Sequence, residues 1–245
     1  MEANIEIAQS LFKQNKFVET IDTCNKILAN DRNEINALKL IAKSFLAINK
    51  IDDARLYLNK YLNIKPNDCE VIQDLGNIYH AVGDINTAKN YYKKCIEINS
   101  SYAPALTNLG SIELNTGNKQ EALSLLIKAA KSDPQLATAW GNLANGYFQL
   151  GKTKEAENAC RKSIELNQNL FNSHFLLGTI LIGQNKLKEA EIYTRKAIHI
   201  KPNSAIFHFN LGNIMIDLGN SKEAEISYRK AIEIDPDFAL ANYNL

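Results

Sequence analysis

Apolar and small residues return along this chain at spacings of three and four, and the whole arrangement returns every 34 residues. Counted in units that begin at Met1, Ile35, Cys69, Ala103, Ala137, Phe171 and Ala205, positions 4, 7, 8 and 11 form one stripe and positions 20, 24 and 27 a second. That spacing places each stripe on one face of a helix, so each unit predicts two amphipathic helices of about four turns. Position 8 is always small: Ala8, Ala42, Gly76, Gly110, Ala144, Gly178 and Gly212. Position 20 is alanine from Ala54 through Ala88, Ala122, Ala156 and Ala190 to Ala224, and Thr20 in the first unit. Small residues at both positions let the two helices of a unit approach closely.

The breaks between helices carry their own signals. Position 15 is Gly83, Gly117, Gly151 and Gly219, or Asn15, Asn49 and Asn185. Glycine and, less readily, asparagine tolerate the left-handed backbone that ends a helix, so one turn is predicted in every unit. Pro66, Pro134, Pro202 and Pro236 recur at multiples of the repeat and stop the second helix, whereas Pro104 falls in the first turn of a first helix, where its missing N–H costs little.

In the fifth unit Trp140, Leu143, Ala144 and Tyr147, followed by Gly151 and Ala156, match the pattern W-x2-L-[GA]-x2-Y…G…A. Seven such matches in phase resemble a tetratricopeptide-repeat (TPR) protein over essentially the whole length. The resemblance implies an all-α fold, a right-handed α-solenoid superhelix of antiparallel helix pairs whose first helices line a concave face. It implies one solenoid domain over 1–245, with repeats at 1–34, 35–68, 69–102, 103–136, 137–170, 171–204 and 205–238 and a partial eighth at 239–245. The first unit departs most, with Asn15, Thr20 and Arg32 where others have glycine, alanine and proline. The halted eighth unit leads us to expect a fragment of a longer chain. Its Leu240, Tyr243 and Leu245 are expected to be helical and to offer an open end for self-association.

Charge removes several classes of function. With 28 basic against 27 acidic side chains the net charge is +1, without the excess a nucleic-acid or anionic-membrane binder needs. No basic segment leads into an apolar run near Glu2 and Glu6, and no apolar run is long enough to span a membrane. Cys24, Cys69, Cys95 and Cys160 are irregularly spaced and read as small buried thiols, which fits a cytoplasmic setting. Second helices carry Glu121, Glu155, Glu189 and Glu223 early and Lys93-Lys94, Arg161-Lys162, Arg195-Lys196 and Arg229-Lys230 late, as the helix dipole favours.

Neither catalysis nor a cofactor is indicated. His174 and His208 take the place of Trp140 and lack the clustered cysteines or carboxylates that would complete a metal site, and no glycine-rich phosphate loop follows a strand. We therefore expect a non-enzymatic scaffold for a protein or peptide partner, or, as the alternative, the substrate-recruiting part of a larger glycosyltransferase or sulfotransferase.

By family analogy the concave wall comes from positions 2, 5, 6, 9, 12 and 13. Amides and hydroxyls gather there: Gln73, Asp74 and Asn77; Thr107, Asn108 and Ser111; Asn142, Asn145 and Gln149; then Asn210 and Asn213. An amide offers donor and acceptor together, so a row of them can hold an extended peptide by its backbone. Asn108, Asn142, Asn210 and Asn244 at position 6 resemble the asparagine ladder of O-linked N-acetylglucosamine transferases, interrupted by Leu176. The family's two-carboxylate clamp for chaperone tails is matched poorly: Gln73, Asn77, Asn108, Thr138 and Asn142 supply two of its five residues and neither closing cation. Phe175 and Phe209, with Leu176, Ile182, Ile206 and Ile216, add an apolar patch. The predicted peptide groove is thus Gln73, Asn77, Asn108, Ser111, Asn142, Asn145, Phe175, Phe209, Asn210 and Asn213.

Overall fold

The computed structural model describes residues 4–245, so Glu2 lies outside the described residues. Among these, fifteen α-helices and no strand are found. First helices are α1 (Ile5–Lys13), α3 (Ile35–Ala47), α5 (Cys69–Ala81), α7 (Ala103–Asn115), α9 (Ala137–Gln149), α11 (Phe171–Gly183), α13 (Ala205–Asp217) and α15 (Ala239–Asn244). Second helices are α2 (Phe17–Asn30), α4 (Ile51–Ile64), α6 (Ile85–Ile98), α8 (Lys119–Ser132), α10 (Thr153–Leu166), α12 (Leu187–Ile200) and α14 (Ser221–Ile234). The chain forms two compact units, Met1–Ala105 and Leu106–Leu245.

The predicted turn is present in every helix pair. Asn15, Asn49 and Asn185 have φ of 60°, 58° and 58°, and Gly83, Gly117, Gly151 and Gly219 lie between 73° and 91°. Reversing the chain there lets the next N–H turn back on the helix it has left. Lys50 N–H donates to Phe45 C=O at 2.8 Å, and Lys152 to Tyr147 at 2.9 Å. These are the six-to-one bonds that satisfy the last carbonyls of a helix. At the other end α4, α8, α12 and α14 each stop two residues before a proline.

Within a pair, position 8 meets position 24, and where position 24 is tyrosine position 8 is glycine. A Cβ on Gly76 would lie 2.6 Å from Tyr92 Cε1, and one on Gly212 would lie 2.6 Å from Tyr228 Cδ1. Where position 8 is alanine, position 24 is Cys24, Leu58 or Cys160. The alanines at position 20 are fully buried in all six units that have them.

Position 4 has a role beyond packing. Trp140 Nε1–H donates to Pro134 C=O at 3.0 Å. His174 Nε2 stands 2.9 Å from Gln168 C=O and His208 Nε2 2.9 Å from Pro202 C=O. A carbonyl can only accept, so both imidazoles carry their proton on Nε2. Asn242 Nδ2 repeats the bond to Pro236 C=O at 3.0 Å. Each donor satisfies a carbonyl in the connection that the proline or its equivalent has left outside the helix.

Second helices of neighbouring pairs are tied by arginine. Arg161 Nη2 reaches Glu157 at 2.9 Å on its own helix and Glu189 at 2.7 Å on the next. Arg195 repeats this with Glu191 and Glu223. Burial alone would lower the Arg161 pKa, but the hydrogen bonds it donates to Glu189 and Glu157 outweigh this and hold it above its ordinary value. The early glutamates and late arginines read as dipole partners are also links between pairs. In α15, Leu240 is 58 % and Tyr243 89 % exposed, and Leu245 follows the helix.

Candidate protein-interaction face

In both units the first helices of neighbouring pairs touch one another, α1 with α3 in the first and α9 with α11 and α11 with α13 in the second. Half of the predicted groove residues line a cleft on this face in the second unit, and the two units present different chemistry on it.

In the first unit the face is charged. Lys39 Nζ lies 2.6 Å from Glu70 and 3.7 Å from Asp68, and Lys43 Nζ lies 2.8 Å from Glu70. Tyr61 OH donates to Asp68 at 2.6 Å, which helps hold the Asp68 carboxyl below its ordinary range against the effect of burial. Asp74 is pushed up to about 6, mainly by burial, with the Lys43 charge pulling the other way. Gln73 is half-buried on α5, and Asn77 is exposed and accepts the Tyr92 hydroxyl at 2.8 Å.

In the second unit the same face opens into a cleft of about 650 Å³ between α7, α9 and α11. Asn108, Ser111, Asn142, Asn145 and Phe175 of the predicted set all line it. Thr107, Thr138 and Thr179 add hydroxyls, and Leu176 forms an apolar wall where it interrupts the asparagine series. No Asp, Glu, Lys, Arg or His is among its lining residues. Part of its depth comes from Gly141. A Cβ there would meet Ser173 Oγ at 2.9 Å and Ser163 Oγ at 3.2 Å. Ser163 donates to Ala137 C=O at 2.9 Å, so the 2.8 Å contact between the two hydroxyls has Ser173 as donor.

Seven lining residues went unread in the sequence: Asn115, Gly141, Phe148, Leu170, Asn172, Ser173 and Thr179. Phe148 and Asn172 stand at positions 12 and 2, which belong to the concave wall by analogy, and position alone could have found them. Leu170, in the connection before α11, carries no such signal.

The remaining predicted residues stand elsewhere. Phe209 is a correction: it is 8 % exposed, with its ring 5.9 Å from Tyr228 and 5.3 Å from Phe238. It faces the second helix of its own pair and fills core, because position 24 of that pair is a tyrosine that draws a ring against it. Phe175 does two things, lining the cleft and packing 4.5 Å from Phe207 on α13. Asn210 is half-buried on α13 outside the cleft lining. Asn213 accepts the Tyr228 hydroxyl at 2.8 Å and Asn244 Nδ2 at 3.2 Å, so Asn244 is turned toward its neighbour.

Burial pushes the Cys24, Cys95 and Cys160 thiols up to about 12, which leaves them as inert packing groups. Among the described residues no group of three His, Cys, Asp or Glu side chains is placed to hold a metal ion, and no helix is long and apolar enough to cross a membrane.

Comparison with known proteins agrees with this architecture. The structure is similar to that of pilF from Pseudomonas aeruginosa, at 18 % identity and a TM-score of 0.75, with 85 % of this chain and 95 % of that one covered. A tetratricopeptide repeat protein from Parabacteroides merdae is similar at 15 % identity and a TM-score of 0.69, over 98 % of this chain and 95 % of its own. YrrB, a TPR protein with an unusual peptide-binding site, is similar at 24 % identity and a TM-score of 0.58, over 76 % of this chain and 96 % of its own. No curated protein matches the sequence. The tetratricopeptide-repeat family profile matches residues 70–102, 103–136, 137–170, 171–204 and 205–238. These repeats span more than half of the chain, which therefore belongs to the tetratricopeptide-repeat family.

Proposed function

We propose that this protein is an interaction scaffold that holds an extended, uncharged segment of a partner protein in the cleft between α7, α9 and α11. The observation that carries the reading is the lining of that cleft: amides and hydroxyls from three first helices, two phenylalanines, and no ionic side chain. Asn142 and Asn145 offer donors and acceptors that suit a peptide backbone whatever its sequence. Phe148, which is 37 % exposed, and Phe175 are the apolar anchors for one or two side chains of the segment. With no cation in the wall, a terminal carboxylate has no counter-charge, so internal segments bind in preference to free C-termini. The fold of YrrB is similar, and a peptide-binding role in that protein is consistent with this one. Three buried, unreactive thiols fit a reducing compartment such as the cytoplasm.

Panning a displayed random-peptide library against the whole chain, then measuring the recovered peptide by fluorescence anisotropy, tests the reading. Replacing Asn142 and Asn145 together by alanine should weaken binding roughly tenfold to thirtyfold, as loss of two net hydrogen bonds of about 1 kcal/mol each implies. Phe175→Ala should weaken it as well. Unchanged affinity in both variants would refute the assignment of the cleft.

A further inference from the structure

The face made by the second helices carries a different cleft, and the repeat itself indicates what fits it. Position 23 of a second helix is tyrosine in several pairs. In α12 the Tyr193 ring stacks on His174 with centroids 5.9 Å apart and planes at 29°. Its hydroxyl accepts from Arg161 Nη1 at 3.2 Å, and the Arg161 guanidinium lies 5.8 Å from the ring centroid. In α4 the Tyr57 hydroxyl likewise reaches the preceding second helix, donating to Asn25 Oδ1 at 3.3 Å. A phenol is therefore framed by the position-25 side chain of the preceding pair and by the residue at position 4 of its own.

In α14 position 23 is Ser227, whose hydroxyl turns back to Glu223 C=O at 2.9 Å. The frame around it is kept. His208 stands where His174 does, with the same Nε2 bond to the connection, and Arg195 stands where Arg161 does, with the same pair of glutamates. Among the described residues no acceptor meets Arg195 Nη1, the atom that in Arg161 donates to the phenol. Elsewhere in the second unit a short residue at position 23 is compensated. Ala159 is accompanied by the large Trp140 at position 4. His208 with Ser227 leaves the space unfilled, and a cleft of about 590 Å³ opens there, with Ile198, Leu211 and Ile226 also on its walls.

We propose that this cleft is a receptor for a tyrosine side chain presented by a partner protein, separate from the cleft on the first-helix face. The ring stacks on His208 between the three aliphatic side chains, and Arg195 Nη1 donates to the phenol oxygen. The chain's own Tyr193 is the template for the stacking on histidine and for the arginine contact. Lys230 and Glu233 at the rim, paired at 2.6 Å, leave polar groups beside the backbone that would carry the ring.

The test uses the whole chain and two probes, p-cresol as the bare side chain and N-acetyl-tyrosinamide as the side chain on a backbone. Both should give saturable shifts of the His208 ring resonances with dissociation constants in the millimolar range, as expected for so few atoms. N-acetyl-phenylalaninamide, which gives Arg195 no oxygen, should bind several-fold more weakly. Ser227→Tyr should fill the space, weaken both tyrosine probes at least tenfold and raise the melting temperature, while Ser227→Ala should leave binding unchanged. Absence of saturable shifts in the wild type, equal binding by Ser227→Tyr, or a lower melting temperature in that variant would overturn the proposal. So would binding of p-cresol without N-acetyl-tyrosinamide, since the cleft would then exclude a ring borne on a chain.

Discussion

Gly212 shows how far a single side chain is constrained by one partner. Its missing Cβ is the space taken by the Tyr228 ring, which crosses the pair so that its hydroxyl reaches Asn213. Gly212→Ala should cost about 1–3 kcal/mol through overpacking. Adding Tyr228→Leu should recover most of it by copying the Ala42 and Leu58 pair, and chemical denaturation of the three variants measures this. Asp74 makes the residue-scale prediction for pH. Its folded pKa, about 6, lies above the ordinary carboxylate value, so the folded protein binds the extra proton between roughly pH 4 and 6 and this group stabilises the fold as pH falls through that window. Asp68 and Glu70 are lowered and act oppositely: their contribution is present above the ordinary value and lost as pH falls through their depressed folded pKa values. Asp74→Asn should therefore melt above the wild type at neutral pH, with the difference vanishing near pH 4. The periodicity placed both Asp74 and Phe209 on the same wall, and only the packing separates them: one is a half-buried acid near lysines, the other a core ring.

At the scale of helices, the turns between helices and the proline stops were legible in the sequence. The left-handed Asn and Gly turns and the proline stops are local backbone requirements, and each appears where its residue type stands. The links between pairs were not legible in the same way, because they join residues 28 apart that local reading assigns to separate helix dipoles. Arg161 with Glu189 is the clearest case. A double-mutant cycle on that pair should give a coupling of about 0.2–1 kcal/mol, as for other partly exposed ion pairs, and it should shrink at high salt. A zero coupling at low salt would show that the arginine contributes only through Glu157 on its own helix. Position 4 is a second example. A tryptophan, two histidines and an asparagine share no hydrophobicity, yet all donate to the same carbonyl of the connection.

At the scale of the molecule, a net charge of +1 hides an uneven distribution. The first-helix face of the first unit is ionic, and the cleft of the second is free of charge. Peptide affinity for that cleft should therefore change little between low and high salt, whereas a segment docked on Lys39, Lys43 and Glu70 would lose affinity steeply; anisotropy titrations across a salt series separate the two. Half of the predicted groove residues, Asn108, Ser111, Asn142, Asn145 and Phe175, meet in the one cleft, and Asn77 and Asn213 are held by tyrosines of their own pairs. The sequence by itself determined the repeat, the paired helices, the turns and the family, since all of these follow from periodicity and from what the backbone permits at glycine, asparagine and proline. Which positions line a cleft was decided by the tertiary structure, because every repeat offers the same positions and the residues packed around each one, as at Gly141 or at Phe209 against Tyr228, determine whether it is filled from within or left open.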